Sequence, residues 1–368
     1  MGSITTTTFQ DPFQGIPAAR APDGLAALIW KFLADTDPNR TDLLVGVYKT
    51  EEGKAIVSAQ TLGASGGCHV GAVFLKSNYG PWKENVNAEI FLPSDTWLNH
   101  PFVFQSAGIK PSIIPYFSSK TNTVDFQNFS EAVKSLPTQS VVLLQSGAQN
   151  PTGCDPSPDQ WRELASIFLE RGHLAFFDAA YPGFASGDID TDLEGVRLFA
   201  EREIPLVFVS TYGKSFGLYS ERVGVVSILV PNEETGKRVE AQLSLLARAE
   251  SGAPPDFGSK IVETVLSDEA LKSQWRQEVR DMANQLKHRR ATLREILEKL
   301  ETPGSWRHIT EQNGMFSYVG LSVEQVTLLR EKHHVYLQDS GRISIAGLNN
   351  FNIEYTARSI SDVVKATV

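Results

Sequence analysis

Cysteine is nearly absent: Cys68 and Cys154 are the two thiols in 368 residues. Two thiols build no disulfide framework, and their scarcity fits a reducing compartment. Both read as small packing residues. Runs of lysine or arginine are also missing and the net charge is −9, which argues against a nucleic-acid surface. No apolar stretch approaches the ~20 residues that span a bilayer, and residues 1–6 carry no apolar signal-peptide core. Gly2 and Thr6 fit the loose myristoylation pattern, but no basic patch follows as a second anchor. Seven histidines show no metal-ligand spacing, and His333-His334 reads as a helix end. There are no internal repeats and no low-complexity segments. These absences lead to the expectation of a cytoplasmic protein without membrane, metal or nucleic-acid partners.

What is present is ordinary for a globular chain: 41% hydrophobic and 21% charged residues. The length allows two domains or one large one. Residues 1 to about 20 are polar, threonine-rich and proline-punctuated, and read as an extended arm. Residues 25–33 have helical spacing, and 43–48 form a short strand before the turn at Glu51–Lys54. A glycine-rich turn at 60–67 is expected to open a helix over 69–75. Apolar runs recur at 88–92, 141–144, 174–177, 205–209 and 225–230, with helical patterns between them, such as 159–170. Short apolar runs alternating with helices point to a mostly parallel sheet covered on both faces. Residues 261–300 read as a long helical region broken near Ser267-Asp268. Beyond Pro303-Gly304, strands at 315–319, 335–337 and 342–345 alternate with helices at 322–331 and 352–364. The expected division is a large domain at 50–300 and a small one made of 1–49 with 301–368.

Four stretches could carry chemistry. The run Ser210-Thr211-Tyr212-Gly213-Lys214-Ser215-Phe216-Gly217 puts a lysine in a glycine-punctuated loop directly after an apolar strand. Most loop lysines are solvated surface. One at the end of a buried strand is costly unless it has a task, and desolvated lysines form Schiff bases with carbonyl compounds. Asp178 ends the apolar run Ala175-Phe176-Phe177. It is either a helix cap or a buried carboxylate that needs a cationic partner. Gln149-Asn150-Pro151-Thr152-Gly153 signals a turn. The glycine-rich turn at 60–67 is either a capped loop or an anion site at a helix N-terminus.

Taken together and in order, these stretches resemble the aspartate aminotransferase family. The run from Ser210 through Tyr219-Ser220-Glu221-Arg222-Val223-Gly224 looks like its cofactor-lysine motif, and Phe177-Asp178-Ala179-Ala180-Tyr181 and Gly183–Asp188 are also similar. The resemblance runs from about residue 9 to the C-terminus. It implies an α/β fold: the fold type I of PLP-dependent transferases, a large domain with a mostly parallel seven-stranded-type sheet between helices, plus a smaller α+β domain. It implies a homodimer and pyridoxal 5′-phosphate (PLP) as cofactor. Lys214 would hold PLP as a Schiff base and, once freed, act as general base. Asp178 would meet the pyridinium nitrogen with His100 behind it, and Tyr181 and Asn150 would reach the phenolic oxygen. Trp97 would stack on the ring. Ser65, Gly66, Thr211 and Arg222 would hold the phosphate.

For the substrate, Arg342 would clamp the α-carboxylate, with Gly46, Trp97 and Asn150 nearby. Arg248 would be supplied across the dimer for a distal carboxylate. The implied substrates are therefore a dicarboxylic amino acid, aspartate or glutamate, and a 2-oxo acid. The sequence departs from the family at four places. Only eleven residues separate Tyr48 from Gln60 where the family has several tens, including a tyrosine that reaches the neighbouring subunit's phosphate. Either this piece is lost, or the sequence reflects a mis-spliced gene. Ser251-Gly252-Ala253 stand where the family has an aromatic, a serine and an asparagine. Gln145 replaces a histidine, and Gly213 stands where serine or alanine is usual. Two other outcomes stay open: a PLP enzyme of altered chemistry (decarboxylation, replacement or cyclisation), and an impaired homologue that serves as a binding protein.

Overall fold

Continuous apolar runs become the interior of one sheet. In the computed structural model, which describes residues 56–83 and 88–367, every residue of β6 (Val141–Gln145) and β7 (Leu174–Ala179) is buried. That is the signature of parallel strands covered on both faces. The other strands of the sheet are β1 (Ile56–Leu62), β2 (Glu89–Pro93), β3 (Lys110–Ile114), β8 (Leu206–Thr211) and β9 (Val223–Leu229). A short hairpin pairs β4 (Phe117–Ser118) with β5 (Thr123–Val124). The seven strands lie in the order β1-β9-β8-β7-β6-β2-β3. β9 runs antiparallel to both its neighbours, and the remaining pairs are parallel.

The strand order turns back between β6 and β2. In an open α/β sheet, such a switch point opens a crevice at the carboxyl ends of the strands. Gln145, Asp178 and Thr211 stand at those ends of β6, β7 and β8.

The helix expected over 69–75 is longer. It spans Gly63–Asn78, and residues 60–62 belong to β1 rather than to a turn. Gly67 of the expected turn and Gly71 of the helix serve close packing. A Cβ on Gly67 would stand 2.6 Å from Val209 Cγ1, and one on Gly71 would stand 3.0 Å from Phe176 Cζ. The small residues let this helix lie directly on β7 and β8. The segment 335–337 is not a strand. It follows the helix Val323–His333; Val335 and Leu337 pack half-buried against a core cluster while Tyr336 is exposed, and no strand pairs with it among the described residues. His334 ends that helix in the left-handed conformation, so the histidine pair is the expected helix end.

Two apolar clusters sandwich the sheet. A third joins residues 286–297 of the helix Glu269–Lys299 to β10 (Phe316–Tyr318), β11 (Arg342–Ser344) and the helix Ile353–Ala366. β10 and β11 pair antiparallel, with Tyr318 opposite Arg342. Among the described residues no helix is long and apolar enough to cross a membrane. The expected arm, the helix at 25–33, the strand at 43–48 with Gly46, and the turn at 51–54 lie outside the described residues.

His173, fully buried before β7, ties two helix–strand connections together. Its Nδ1 accepts from the Ser140 amide at 3.1 Å, and its Nε2 lies 3.1 Å from the Val133 carbonyl. Burial holds its pKa down from 6.5 to about 4. An unfolded imidazole takes a proton below about pH 6.5, whereas the folded one resists until about pH 4. The contribution is therefore complete above pH 6.5 and lost as pH falls through the folded value, up to about 3 kcal/mol. Thermal melting between these limits is expected to drop less steeply with acid in His173→Gln than in the wild type.

Candidate active site

A cavity of about 250 Å³ opens at the carboxyl ends of β2, β6, β7 and β8, lined by Ser65, Trp97, Asn150, Asp178, Tyr181, Thr211, Lys214 and Arg222 among others. Eight residues singled out from separate stretches of sequence thus meet in one place. Gly66 does not line it. Its α-carbon faces Leu62, 3.1 Å from where a Cβ would stand. Arg248 does not line it either, and is exposed near the end of the helix Glu233–Ser251.

Asp178 is 4% exposed. Its Oδ2 lies 3.0 Å from His100 Nε2. His100 Nδ1 lies 2.7 Å from Thr96 Oγ1, and Thr96 Oγ1 accepts from the amide of Gln145 at 3.1 Å. Gln145 is itself oriented by Asn150, whose N–H donates to its Oε1 and whose C=O accepts from its Nε2. The direction of the chain follows from these bonds. The Gln145 amide donates, so the Thr96 hydroxyl donates onward, and His100 presents Nε2–H to Asp178. Asp178 Oδ1 remains buried without a hydrogen-bond partner. A buried, half-paired carboxylate on a cavity wall is costly unless a cationic N–H arrives from the cavity.

Lys214 lies in the turn after β8. Its Nζ stands 4.2 Å from the centre of the Tyr181 ring. Burial lowers its pKa, against the pull of Asp178, and Arg222 lowers it further. The Tyr181 hydroxyl is pushed up, first by burial and then by the charge of Asp178. It accepts from Asn150 Nδ2 at 3.3 Å. Asn150 Oδ1 accepts from Arg342 Nη1 at 3.1 Å. The Arg342 guanidinium lies 4.2 Å over the Phe316 ring, and its Nε is buried without a partner. No carboxylate pairs with it among the described residues.

The other end of the cavity suits an anion. The helix Gly63–Asn78 has no side-chain cap, so the amides of Ala64 and Ser65 are free of a cap at its dipole's positive end. Arg222 closes over this end, donating to the carbonyls of Tyr219 at 3.1 Å and Leu62 at 3.4 Å. Glycine is required at 63: its φ is +68°, and a Cβ would stand 2.4 Å from Arg222 Nη2. Thr211 and Gly213 complete this wall.

Two features escape a reading of the sequence. Tyr219 lines the cavity five residues after the lysine, where only its aromatic character in a chemistry-bearing loop could have marked it. The Thr96–Gln145 relay is visible only in three dimensions.

The donor set fits pyridoxal phosphate. It offers an amine, an unpaired carboxylate opposite, a tyrosine–asparagine pair between them, and an uncapped helix start with an arginine. The fold and site are those of a PLP-dependent transferase, and the aminotransferase class I and II family model matches residues 45–360. The chain belongs to that family. Within it, the relatives found include aspartate aminotransferases. The mitochondrial enzyme of Arabidopsis thaliana is 40% identical over 314 residues, 85% of this chain and 72% of that protein. The cytoplasmic enzyme of Dictyostelium discoideum is 33% identical over 393 residues, covering 94% and 89% of the two. That alignment is longer than this 368-residue chain, so the relative carries residues with no counterpart here. The cytoplasmic aspartate aminotransferase of Saccharomyces cerevisiae superposes with a TM-score of 0.81 at 32% identity, covering 97% of this chain and 99% of that one. An aromatic-amino-acid aminotransferase of Burkholderia pseudomallei, covalently bound to pyridoxal phosphate, gives 0.80 at 30% identity, with 96% and 100% covered.

Proposed function

We propose that this chain is a PLP-dependent aminotransferase that moves the amino group of a dicarboxylic amino acid, aspartate or glutamate, to a 2-oxo acid. The observation that carries the reading is the unpaired Asp178 Oδ1 on the wall of the cavity that also holds the Lys214 amine. Bound PLP supplies an electrophilic aldehyde and a ring that accepts the electron pair left on the substrate Cα. The chain supplies the rest. Lys214, with its lowered pKa, presents an amine that would hold the cofactor through its aldehyde. The same amine, when free, would take the proton from the substrate Cα. Asp178 holds a proton on the ring nitrogen, and the relay from Gln145 keeps Asp178 oriented. Tyr181 and Asn150 reach the phenolic oxygen. Ser65, Thr211, Arg222 and the amides near Ala64 hold the phosphate, and Trp97 covers the ring.

Arg342 takes the α-carboxylate, for which its planar fork is suited. The exposed Arg248 serves a distal carboxylate in the site of a second copy, which makes the functional unit a homodimer. The chain is organised as a cofactor-carrying unit at 50–300 and a smaller unit of 1–49 with 301–368, in keeping with its separate apolar clusters. Cytoplasmic residence is proposed on the relatives named cytoplasmic, although mitochondrial ones also match.

The test is a visible spectrum of the purified protein with PLP, before and after L-aspartate and separately L-phenylalanine. A cofactor band that L-aspartate converts to the aminated form, with oxaloacetate released, supports the reading. Conversion by L-phenylalanine alone would move the substrate to an aromatic amino acid. Release of carbon dioxide or a cyclised product would move the chemistry elsewhere in the PLP repertoire. A protein that takes up no PLP would be a binding homologue.

A further inference from the structure

Arg290 lies on the helix Glu269–Lys299 and is 1% exposed. It has no carboxylate partner among the described residues. Instead its guanidinium donates to four backbone carbonyls: Ile309 at 2.9 Å, Asn313 at 2.6 Å, Gly314 at 3.0 Å, and Phe316. Burying an arginine without a counterion is expensive, and an apolar side chain of similar volume would fill the space at lower cost. What the arginine adds is geometry: one rigid fork fixes four carbonyls of a single turn at once.

That turn supports the substrate arginine from two sides. Its last residue, Phe316, carries the Arg342 guanidinium on its face and sets its edge against Tyr181, with ring centres 5.9 Å apart. Its Asn313 is locked to the loop bearing Asn150. The Asn313 amide donates to the Gly153 carbonyl at 2.7 Å, and its Nδ2 donates to Asp155 Oδ2 at 2.9 Å. Asp155 also accepts from the amides of Ala148 and Gln149. Asn150 follows directly and accepts from Arg342. Phe316 and Asn150, the two groups that orient Arg342, therefore hang from one knot tied by Arg290, Asn313 and Asp155.

We propose that Arg290 is a positioning residue for recognition of the substrate α-carboxylate: by fixing the turn 309–316 it sets the orientation of Arg342. This rests on the function proposed above, in which Arg342 binds that carboxylate. Among the described residues Lys214, Asp178 and Arg222 make no hydrogen bond to Arg290, Asn313 or Asp155, so covalent capture of PLP should persist.

The test compares L-aspartate with β-alanine, which is aspartate without its α-carboxylate, in the spectroscopically followed half-reaction. Calorimetry with succinate, which cannot react, gives an independent readout. Arg290→Met is expected to lose up to about 100-fold in rate with aspartate and in succinate affinity, as a misplacement of about 1 Å does. Its slow rate with β-alanine should hold, and Arg290→Lys should fall between. Equal losses with both substrates would make Arg290 a general structural residue and overturn the proposal. So would an unchanged preference for aspartate. If Arg290→Met does not fold, Phe316→Leu carries the test: the preference for aspartate must fall there too, and a preference that persists overturns the proposal. A wild type that shows no preference for aspartate removes the Arg342 clamp itself, and the inference with it.

Discussion

Lys214→Ala is expected to abolish covalent capture of pyridoxal phosphate and to cut amino-group transfer by about 10⁴-fold or more, because one side chain supplies both nucleophile and proton carrier. Among the described residues no other amine lines the cavity to take over. The variant should still bind the cofactor by its phosphate end, but without the visible band that survives gel filtration of the wild type. The same lysine gives a pH signature. Its pKa lies below the usual 10.5 chiefly through burial, with Arg222 pushing the same way and Asp178 opposing. The rate of capture by the cofactor-free protein should therefore rise with pH as the free amine accumulates, and level off at a midpoint below 10.5. Removing the cation in Arg222→Met should move that midpoint up. A midpoint at or above 10.5 in the wild type would contradict the burial that defines this site.

The interior of the sheet is legible in the sequence because burial on both faces forces unbroken apolar runs. β6, β7, β8 and β9 all coincide with such runs. The edge strands are not legible. β1 alternates buried and exposed residues, and β3 contains Lys110 and Pro111, a composition tolerated only at an edge. The helix Glu233–Ser251 was hidden by its polarity. It buries only Val239 and Leu243 among its large apolar residues. Residues 335–337 show the opposite error: an apolar triplet with strand propensity but no strand beside it. In the site, Asp178 is legible because it closes an apolar strand, where a polar residue needs a reason, and Lys214 and Asn150 because they stand in the turns that directly follow such strands. Arg290 is not, because on a helix crowded with charge nothing in the sequence separates a fully buried arginine from its partly exposed neighbours Arg289 and Arg294.

Asp178→Asn is expected to leave PLP capture by Lys214 intact while slowing amino-group transfer by about 10²–10³-fold, the usual worth of a preorganised charge at a reacting centre. The substitution preserves shape and removes charge. Asparagine can still meet His100, but it cannot hold a proton on a ring nitrogen, and without that proton the ring is a weaker sink for the electron pair at Cα. Single-turnover rates with L-aspartate are the measurement, since they isolate the proton transfer from cofactor loss. The relay behind Asp178 predicts a graded companion. Thr96→Val removes the hydroxyl between Gln145 and His100 Nδ1, frees the imidazole to change tautomer, and should cost about tenfold at neutral pH, a single second-layer hydrogen bond of about 1.4 kcal/mol. In a Thr96→Val, Asp178→Asn double variant that tenfold should disappear, because the relay then has no charge to orient. Full additivity of the two losses would mean that Thr96 acts on the site by another route.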